Sequence, residues 1–224
     1  MPPEHEIVFL FDVDDTLLDN DAVKADLGRQ VLDNFGEAES KRFWAIYEEQ
    51  RVKHSYADFL GTLERFRLEH MGELRALELS NWMMTYPFSE RLYPQALEAV
   101  RHVAKWGLPV ILTDGDGVFQ PYKLERAGLW KAFDGHVLDF VHKQQELDAV
   151  ARAYPARHYV VIDDKPSILS AIKTAWGKCV TTVFVRQGHY ANSPGALDCD
   201  PTPDRTLESI AEFKNQEFSA LLPV

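Results

Sequence analysis

The chain has 224 residues, of which 46% are hydrophobic and 12% aromatic, and its formal net charge is −11. This length allows one substantial core, or a core with a smaller insertion, and excludes two full-sized independent domains. We expect no membrane span, because no apolar run approaches about 18 residues, and no nucleic-acid partner, because the negative charge repels polyanions.

The N-terminal segment reads MPPEHEIVFLFDVDD. It has acidic residues where a signal peptide carries positive charge, and its short apolar stretch ends in carboxylates. We therefore expect a cytoplasmic location. In such a reducing compartment the two cysteines, Cys179 and Cys199, are not expected to form a disulfide.

Apolar runs without a helical period are typical of buried strands in a parallel sheet. Such runs occupy residues 7–11, 109–112, 159–162 and 180–185, with a weaker one at 135–140. Segments of helical pattern neighbour them at residues 95–106, 118–127, 145–154 and 166–176. This alternation predicts an α/β fold with a doubly wound parallel sheet.

A long stretch between the first two strands has no convincing strand run. Its apolar residues recur at spacings of three and four, as at Phe59, Leu63 and Phe66, which predicts amphipathic helices. Pro87 and Pro94 mark its return to the core, because proline interrupts helical continuation.

These patterns predict two parts. The α/β core comprises residues 1–17 and 92–224, and a helical insertion comprises residues 18–91. Within the core, residues 188–204 are rich in Gly, Pro, Asn and Asp, which is typical of a surface loop. A last helix is predicted at residues 206–213.

Chemically reactive side chains follow the predicted strands, at the edge where open α/β sheets bind ligands. They occur in four short motifs: Asp12 and Asp14 within DVDDTL, the pair Thr113-Asp114, Lys143, and the pair Asp163-Asp164. Magnesium suits so many carboxylates, because it prefers oxygen ligands and commonly pairs one or two carboxylates with substrate phosphate.

The four motifs, in this order, resemble those of the haloacid dehalogenase superfamily of hydrolases. That superfamily has DxDxT, a strand ending in Thr or Ser, a lysine, and an acidic pair. The resemblance spans residues 7–185, and the helical insertion lies where the superfamily has a cap. It implies a Rossmann-like core with a small all-helical cap.

The resemblance also implies roles for individual residues. Asp12 is the nucleophile that forms an aspartyl-phosphate, and Asp14 protonates the leaving oxygen and then activates water. An acid role implies a raised pKa for Asp14, for which the neighbouring carboxylates supply a reason. Lys143, the Thr113 hydroxyl and the Asp114 amide bind the phosphoryl group.

A Mg²⁺ site is implied beside the nucleophile. Its ligands are the side chains of Asp12 and Asp164 and the backbone carbonyl of Asp14. Asp163 is expected to contact these ligands without binding the ion. Because Asp163 and Asp164 are adjacent acids, the sequence leaves open which of the two carboxylates binds the ion directly.

The chain departs from the superfamily pattern in two places. Gln144 follows Lys143, where a proline is common, so Lys123 and Lys131 are alternative candidates for the motif lysine. The second motif continues as Asp-Gly-Asp at residues 114–116, where Asn and Gly are common, which adds negative charge near the phosphate site.

The predicted function is a Mg²⁺-dependent phosphatase of a small phosphorylated molecule, acting as a monomer or homodimer. Asp14 argues against carbon–halogen cleavage, which needs no such acid. A phosphonate hydrolase, which would use an insertion lysine (Lys24, Lys41 or Lys53) as a Schiff base, stays open, as does a sugar phosphomutase. A non-enzymatic phosphate-binding regulatory module is the alternative from another class.

Overall fold

Six parallel β-strands form the centre of the protein in this computed structural model, which describes residues 5–219. The strands are β1 His5–Phe11, β2 Leu108–Asp114, β3 Val137–Phe140, β4 Ala156–Asp163, β5 Val180–Val185 and β6 Arg205–Leu207. Their order in the sheet is β3-β2-β1-β4-β5-β6. The predicted doubly wound α/β fold is confirmed, because the chain winds outward from β1 in both directions.

β1 shows why the central strands lack polar alternation. Ile7, Phe9 and Phe11 pack into the hydrophobic core on one face of the sheet, and Val8 and Leu10 pack into the core on the other face. All five side chains are fully buried. The part of a strand that helices cover on both faces forms a continuous apolar run.

Helices flank the sheet and also fill the long segment between β1 and β2. That segment contains α1 Asn20–Phe35, α2 Glu37–His54, α3 Phe59–Glu69 and α4 Leu74–Thr85. The remaining α-helices are α5 Ala96–Val103, α6 Phe119–Ala127, α7 Leu129–Ala132, α8 Leu147–Ala153, α9 Pro166–Trp176 and α10 Gly188–Ala191. Short 3₁₀ helices span Phe88–Arg91, Lys143–Gln145, Gly177–Cys179 and Ile210–Asn215.

The chain enters and leaves the helical segment at adjacent points. Leu18 and Leu92 form an antiparallel bridge, and the Tyr93 N–H donates to the Leu17 carbonyl at 2.9 Å. This pairing lies at the predicted boundaries of the insertion. The division into a core and an insertion stays a prediction, and its outermost residues, 1–4 and 220–224, lie outside the described part of the chain.

The predicted helix at residues 206–213 is wrong over its first part. Arg205–Leu207 forms β6 beside β5, and the helical turn that follows is the 3₁₀ helix Ile210–Asn215. Asp204 aligns β6, because its carboxylate accepts the Thr182 N–H at 2.8 Å and its own N–H donates to the Thr182 hydroxyl at 3.0 Å. A three-residue edge strand has no sequence period of its own, so its partner strand determines it.

None of the helices between residues 5 and 219 combines the length and apolar character needed to cross a membrane. Both cysteines, Cys179 and Cys199, are free thiols.

Candidate active site

The carboxyl ends of three neighbouring strands bring the predicted site residues together. Asp12 follows β1, Asp114 ends β2, and Asp163 ends β4. Because β1 pairs with both β2 and β4, these ends meet at one edge of the sheet. Lys143 begins the 3₁₀ turn that follows β3 and reaches the same edge.

Lys143 links the carboxylates of this edge. Its ammonium donates to Oδ1 of Asp12 and lies 2.7 Å from Oδ2 of Asp163, and its backbone N–H donates to Oδ1 of Asp114 at 2.7 Å. The side chain is buried. Burial alone would lower the pKa of Lys143, but the charges of Asp12, Asp163 and Asp114 outweigh it and raise the pKa. Lys143 is therefore the lysine that contacts Asp12, and Lys123 contacts a different carboxylate.

Three buried carboxylates form a set that can hold a metal ion. Asp12, Asp163 and Asp164 each offer an oxygen, and these oxygens lie within 4.8 Å of one another. Oδ2 of Asp12 and both oxygens of Asp164 accept no hydrogen bond from the described residues. Buried anionic oxygens without partners are costly, and a divalent cation with oxygen ligands would satisfy them.

Burial also changes the proton affinity of this set. Desolvation and the charge of Asp163 raise the pKa of Asp12 to about 6, against the opposing effect of Lys143. Desolvation, followed by the charges of Asp163 and Asp12, raises the pKa of Asp164 to about 9. Without a cation, Asp164 therefore binds a proton more readily than an ordinary carboxyl group does.

Asp14 is paired with Lys123, whose ammonium lies 2.5 and 2.7 Å from its two carboxylate oxygens. Burial alone would raise the pKa of Asp14, but the charge and hydrogen bonds of Lys123 outweigh it and hold the pKa below its usual range. The prediction of a raised pKa for Asp14 is therefore wrong. A lysine from α6, and not the neighbouring acids, controls this carboxylate.

The pairing of Lys123 with Asp14 is not predicted from the sequence, which offers this lysine only as an alternative to Lys143. A signal was available, because Lys123 lies on the buried face of α6 together with Phe119, Gln120, Leu124 and Ala127. A lysine buried on an otherwise uncharged helix face requires a charged partner.

The Thr113 hydroxyl can donate a hydrogen bond to an anion in the cleft. Thr113 is buried at the end of β2, and its oxygen accepts a hydrogen bond from Nε2 of Gln120 at 2.8 Å. With one lone pair of the oxygen engaged, the hydroxyl proton remains available for an anion, and Thr113 lines the cleft described below.

The additional acids of the second motif have structural partners. Asp114 accepts the Lys143 N–H, and burial, only partly opposed by Lys143, raises its pKa. Oδ1 of Asp116 accepts the N–H groups of Val118 at 2.6 Å and Phe119 at 3.1 Å, at the beginning of α6. The Asp-Gly-Asp sequence therefore secures Lys143 and the N-terminus of α6.

The loop after β1 turns back on itself and presents the motif carboxylates. The Leu18 N–H donates to the Val13 carbonyl at 2.9 Å, and Asp15 adopts a positive φ of 63°. Oδ1 of Asp15 accepts the Asn20 N–H at 2.9 Å, which connects the loop to the first turn of α1. Asp15 thus holds the loop in place.

A cleft of about 230 Å³ opens onto this site. On the side of the sheet it is lined by Asp12, Asp14, Asp15, Thr113, Asp114, Val141, His142, Gln144, Lys165, Ile168 and Tyr190. On the side of α1 and α2 it is lined by Asn20, Lys24, Tyr47, Arg51, Ser55, Tyr56 and Ala57. Lys165 is a third cation of the lining, which is not predicted from the sequence, and its ammonium lies 4.7 Å from the centre of the Tyr190 ring.

Comparisons with known proteins agree with this arrangement. A family model for haloacid dehalogenase-like hydrolases matches residues 8–175. A solved structure from Burkholderia xenovorans LB400, described as a haloacid dehalogenase-like hydrolase, is 50% identical, with a TM-score of 0.89 over 98% of this chain and 100% of that chain. The chain belongs to the haloacid dehalogenase-like hydrolase family. The predicted superfamily is thereby confirmed.

Solved structures of lower sequence identity share the fold. The HAD-hydrolase YfnB from Bacillus subtilis, solved with bound magnesium, is 16% identical, with a TM-score of 0.62 over 95% of this chain and 98% of that chain. The L-2-haloacid dehalogenase from Xanthobacter autotrophicus is 18% identical, with a TM-score of 0.59 over 93% and 96% of the two chains. No curated protein matched the chain.

Proposed function

We propose that this hydrolase is a Mg²⁺-dependent phosphatase that cleaves a small phosphomonoester through an aspartyl-phosphate on Asp12. The observation that carries the proposal is the environment of Asp12. One carboxylate oxygen is held by Lys143, and the other accepts no hydrogen bond from the described residues, in a side chain that lines the cleft. Asp12 therefore has a free oxygen lone pair in a fixed orientation.

The two chemical steps use Asp12 and Asp14 in turn. In the first, a carboxylate oxygen of Asp12 bonds to phosphorus while the bond from phosphorus to the leaving oxygen breaks, and that oxygen takes a proton. We assign this proton to the Asp14–Lys123 pair, which holds it at the cleft. In the second step, ionised Asp14 accepts a proton from the water that attacks phosphorus, and Asp12 is released.

The residues around Asp12 fit the proposed magnesium ion. When bound, Mg²⁺ would neutralise charge on the phosphoryl group. Asp164 is the better candidate for a direct side-chain ligand, because Asp163 already contacts Lys143 and accepts the Lys165 N–H at 2.8 Å. Asp12 and the backbone carbonyl of Asp14 would complete the protein ligands.

The choice between the two acids is tested by replacing each with asparagine. We expect Asp164→Asn to raise the Mg²⁺ concentration for half-maximal activity by at least about tenfold, because a neutral amide replaces a ligand carboxylate. Asp163→Asn should raise it less. Titrations of activity and calorimetric Mg²⁺ binding measure both effects. A larger shift for Asp163→Asn would reverse the assignment.

The function itself is tested with p-nitrophenyl phosphate. We expect phosphate release in Mg²⁺ that stops on chelation and returns on adding Mg²⁺. A parallel assay of chloride release from 2-chloropropionate tests carbon–halogen cleavage. We expect no chloride release, because carbon–halogen cleavage needs no acid such as Asp14. Chloride release without phosphate release would contradict the proposal. Absence of both activities would also contradict it and would indicate a binding module.

A further inference from the structure

The helical side of the cleft carries positive charge in an otherwise acidic protein. Lys24 on α1, and Tyr47 and Arg51 on α2, form this surface, which we call the cationic wall. The described residues that α1, α2 and the turn after α2 contribute to the cleft include these two cations and no acid. The carboxylates that line the cleft come from the sheet side, where lysines and a metal ion can balance them.

Tyr47 is a buried residue whose hydroxyl has no hydrogen-bond partner among the described residues. The residue is 5% exposed, and its ring packs against Trp44 and Phe59, each with 5.4 Å between ring centres. Its hydroxyl forms no hydrogen bond with any residue between 5 and 219, and the side chain lines the cleft. Packing thus fixes a hydroxyl donor whose natural partner is a ligand atom.

The two cations also keep free donors. Nε of Arg51 bonds to Glu48 at 2.8 Å, and the described part of the chain offers no acceptor to its terminal NH₂ groups. Lys24 is half-buried and forms no hydrogen bond or ion pair with the described residues. Cationic side chains whose donors have no acceptor among the described residues, on the same surface as a hydroxyl held by packing, are suited to binding an anion.

We propose that the cationic wall binds a carboxylate on the leaving group, so that the substrate is a short phosphorylated carboxylic acid. This inference rests on the proposed phosphatase function, because the phosphoryl group must occupy the sheet side of the cleft. Two cations and a hydroxyl match the charge and the two oxygens of a carboxylate. A cleft of about 230 Å³ has room for a phosphoryl group and a leaving group of a few carbons.

The test compares 2-phosphoglycolate with 2-hydroxyethyl phosphate, which has a CH₂OH group in place of the carboxylate. We expect kcat/KM for 2-phosphoglycolate to be at least about tenfold higher, since hydrogen bonds to a charged group have roughly this effect. Arg51→Gln and Lys24→Met should each lower that ratio by about tenfold, mainly through KM for 2-phosphoglycolate. Tyr47→Phe should lower it less, because it removes one hydroxyl and no charge.

Arg67→Gln is the matched control. Arg67 pairs with Glu64 three residues earlier, as Arg51 pairs with Glu48, but it does not line the cleft. Its substitution should leave the ratio unchanged. Thermal melting of each variant checks that the fold is retained.

The outcomes separate the two proposals. Equal kcat/KM for both probes in the wild type, or an unchanged ratio in Arg51→Gln and Lys24→Met, would overturn the carboxylate site and leave the phosphatase intact. Absence of Mg²⁺-dependent phosphate release from both probes and from p-nitrophenyl phosphate would instead overturn the phosphatase.

Discussion

Replacing Asp12 with asparagine should lower kcat by at least about 10³-fold while the protein keeps its fold, because loss of a nucleophile is among the most severe catalytic lesions. An amide oxygen is a poor nucleophile and cannot yield an aspartyl-phosphate. The substitution keeps the size of the side chain, and Lys143 retains Asp163 as a partner at 2.7 Å. The protein should therefore remain folded.

The measurement is steady-state phosphate release with p-nitrophenyl phosphate. Near-UV circular dichroism checks the fold, and mass spectrometry of acid-quenched protein checks for a phosphorylated peptide that contains Asp12. Asp33→Asn, at an exposed position on α1, is the control and should retain full activity. If Asp12→Asn keeps more than a few per cent of wild-type turnover, the nucleophile is another group.

How much of the fold could be predicted from sequence depends on the position of each strand. The runs of β1, β2, β4 and β5 are recognisable in the sequence because strands covered on both faces are continuously apolar. β3 at one edge gave a weak signal, since its four side chains are only half-buried. β6 at the other edge gave none, because three residues are too few to show a period.

The convergence of carboxylates could be predicted, whereas their proton affinities could not. Parallel strands end at a common edge, so acids that directly follow β1, β2 and β4 must lie near one another. The pKa of Asp14 depends instead on Lys123, 109 residues away, whose approach is decided by how α6 packs. Because the two residues are so far apart in the sequence, no local sequence pattern predicts that they pair.

The residues of the cationic wall likewise could not be predicted from the sequence. Lys24, Lys41 and Lys53 could not be distinguished from sequence, because all three lie in the helical segment. In the structure Lys24 lines the cleft, while Lys41 is exposed and paired with Glu37 at 2.8 Å and Lys53 is exposed. The direction of each side chain depends on the rotation of its helix, which a weakly amphipathic pattern does not determine.

Replacing Lys143 with methionine should cost both stability and activity. Asp12 and Asp163 would stay buried without their cation, and breaking a buried ion pair in this way typically costs about 3–5 kcal/mol of unfolding free energy. Activity should fall by about 10²-fold or more, because a preorganised charge at the phosphoryl site is lost. Urea unfolding in chelator and phosphate release in Mg²⁺ measure the two effects.

The stability deficit of Lys143→Met should depend on pH with a definite sign. The pKa of Asp12 is already raised to about 6 with Lys143 present, and loss of the lysine raises it further. A carboxyl whose pKa is raised on folding favours the native state at low pH and loses that contribution as the pH rises through the folded value. The deficit should therefore be small near pH 4 and grow toward pH 8.

Lys131→Met is the control for Lys143→Met, because Lys131 is exposed and the sequence offers it as an alternative for the same motif position. It should change the unfolding free energy by less than about 0.5 kcal/mol, as is usual for surface positions. Mg²⁺ should recover part of the deficit in Lys143→Met, since a cation bound beside Asp12 replaces the missing positive charge and should stabilise the variant more than the wild type. A deficit that is independent of pH and of Mg²⁺ would show that Lys143 acts by packing, and the electrostatic account of the site would be wrong.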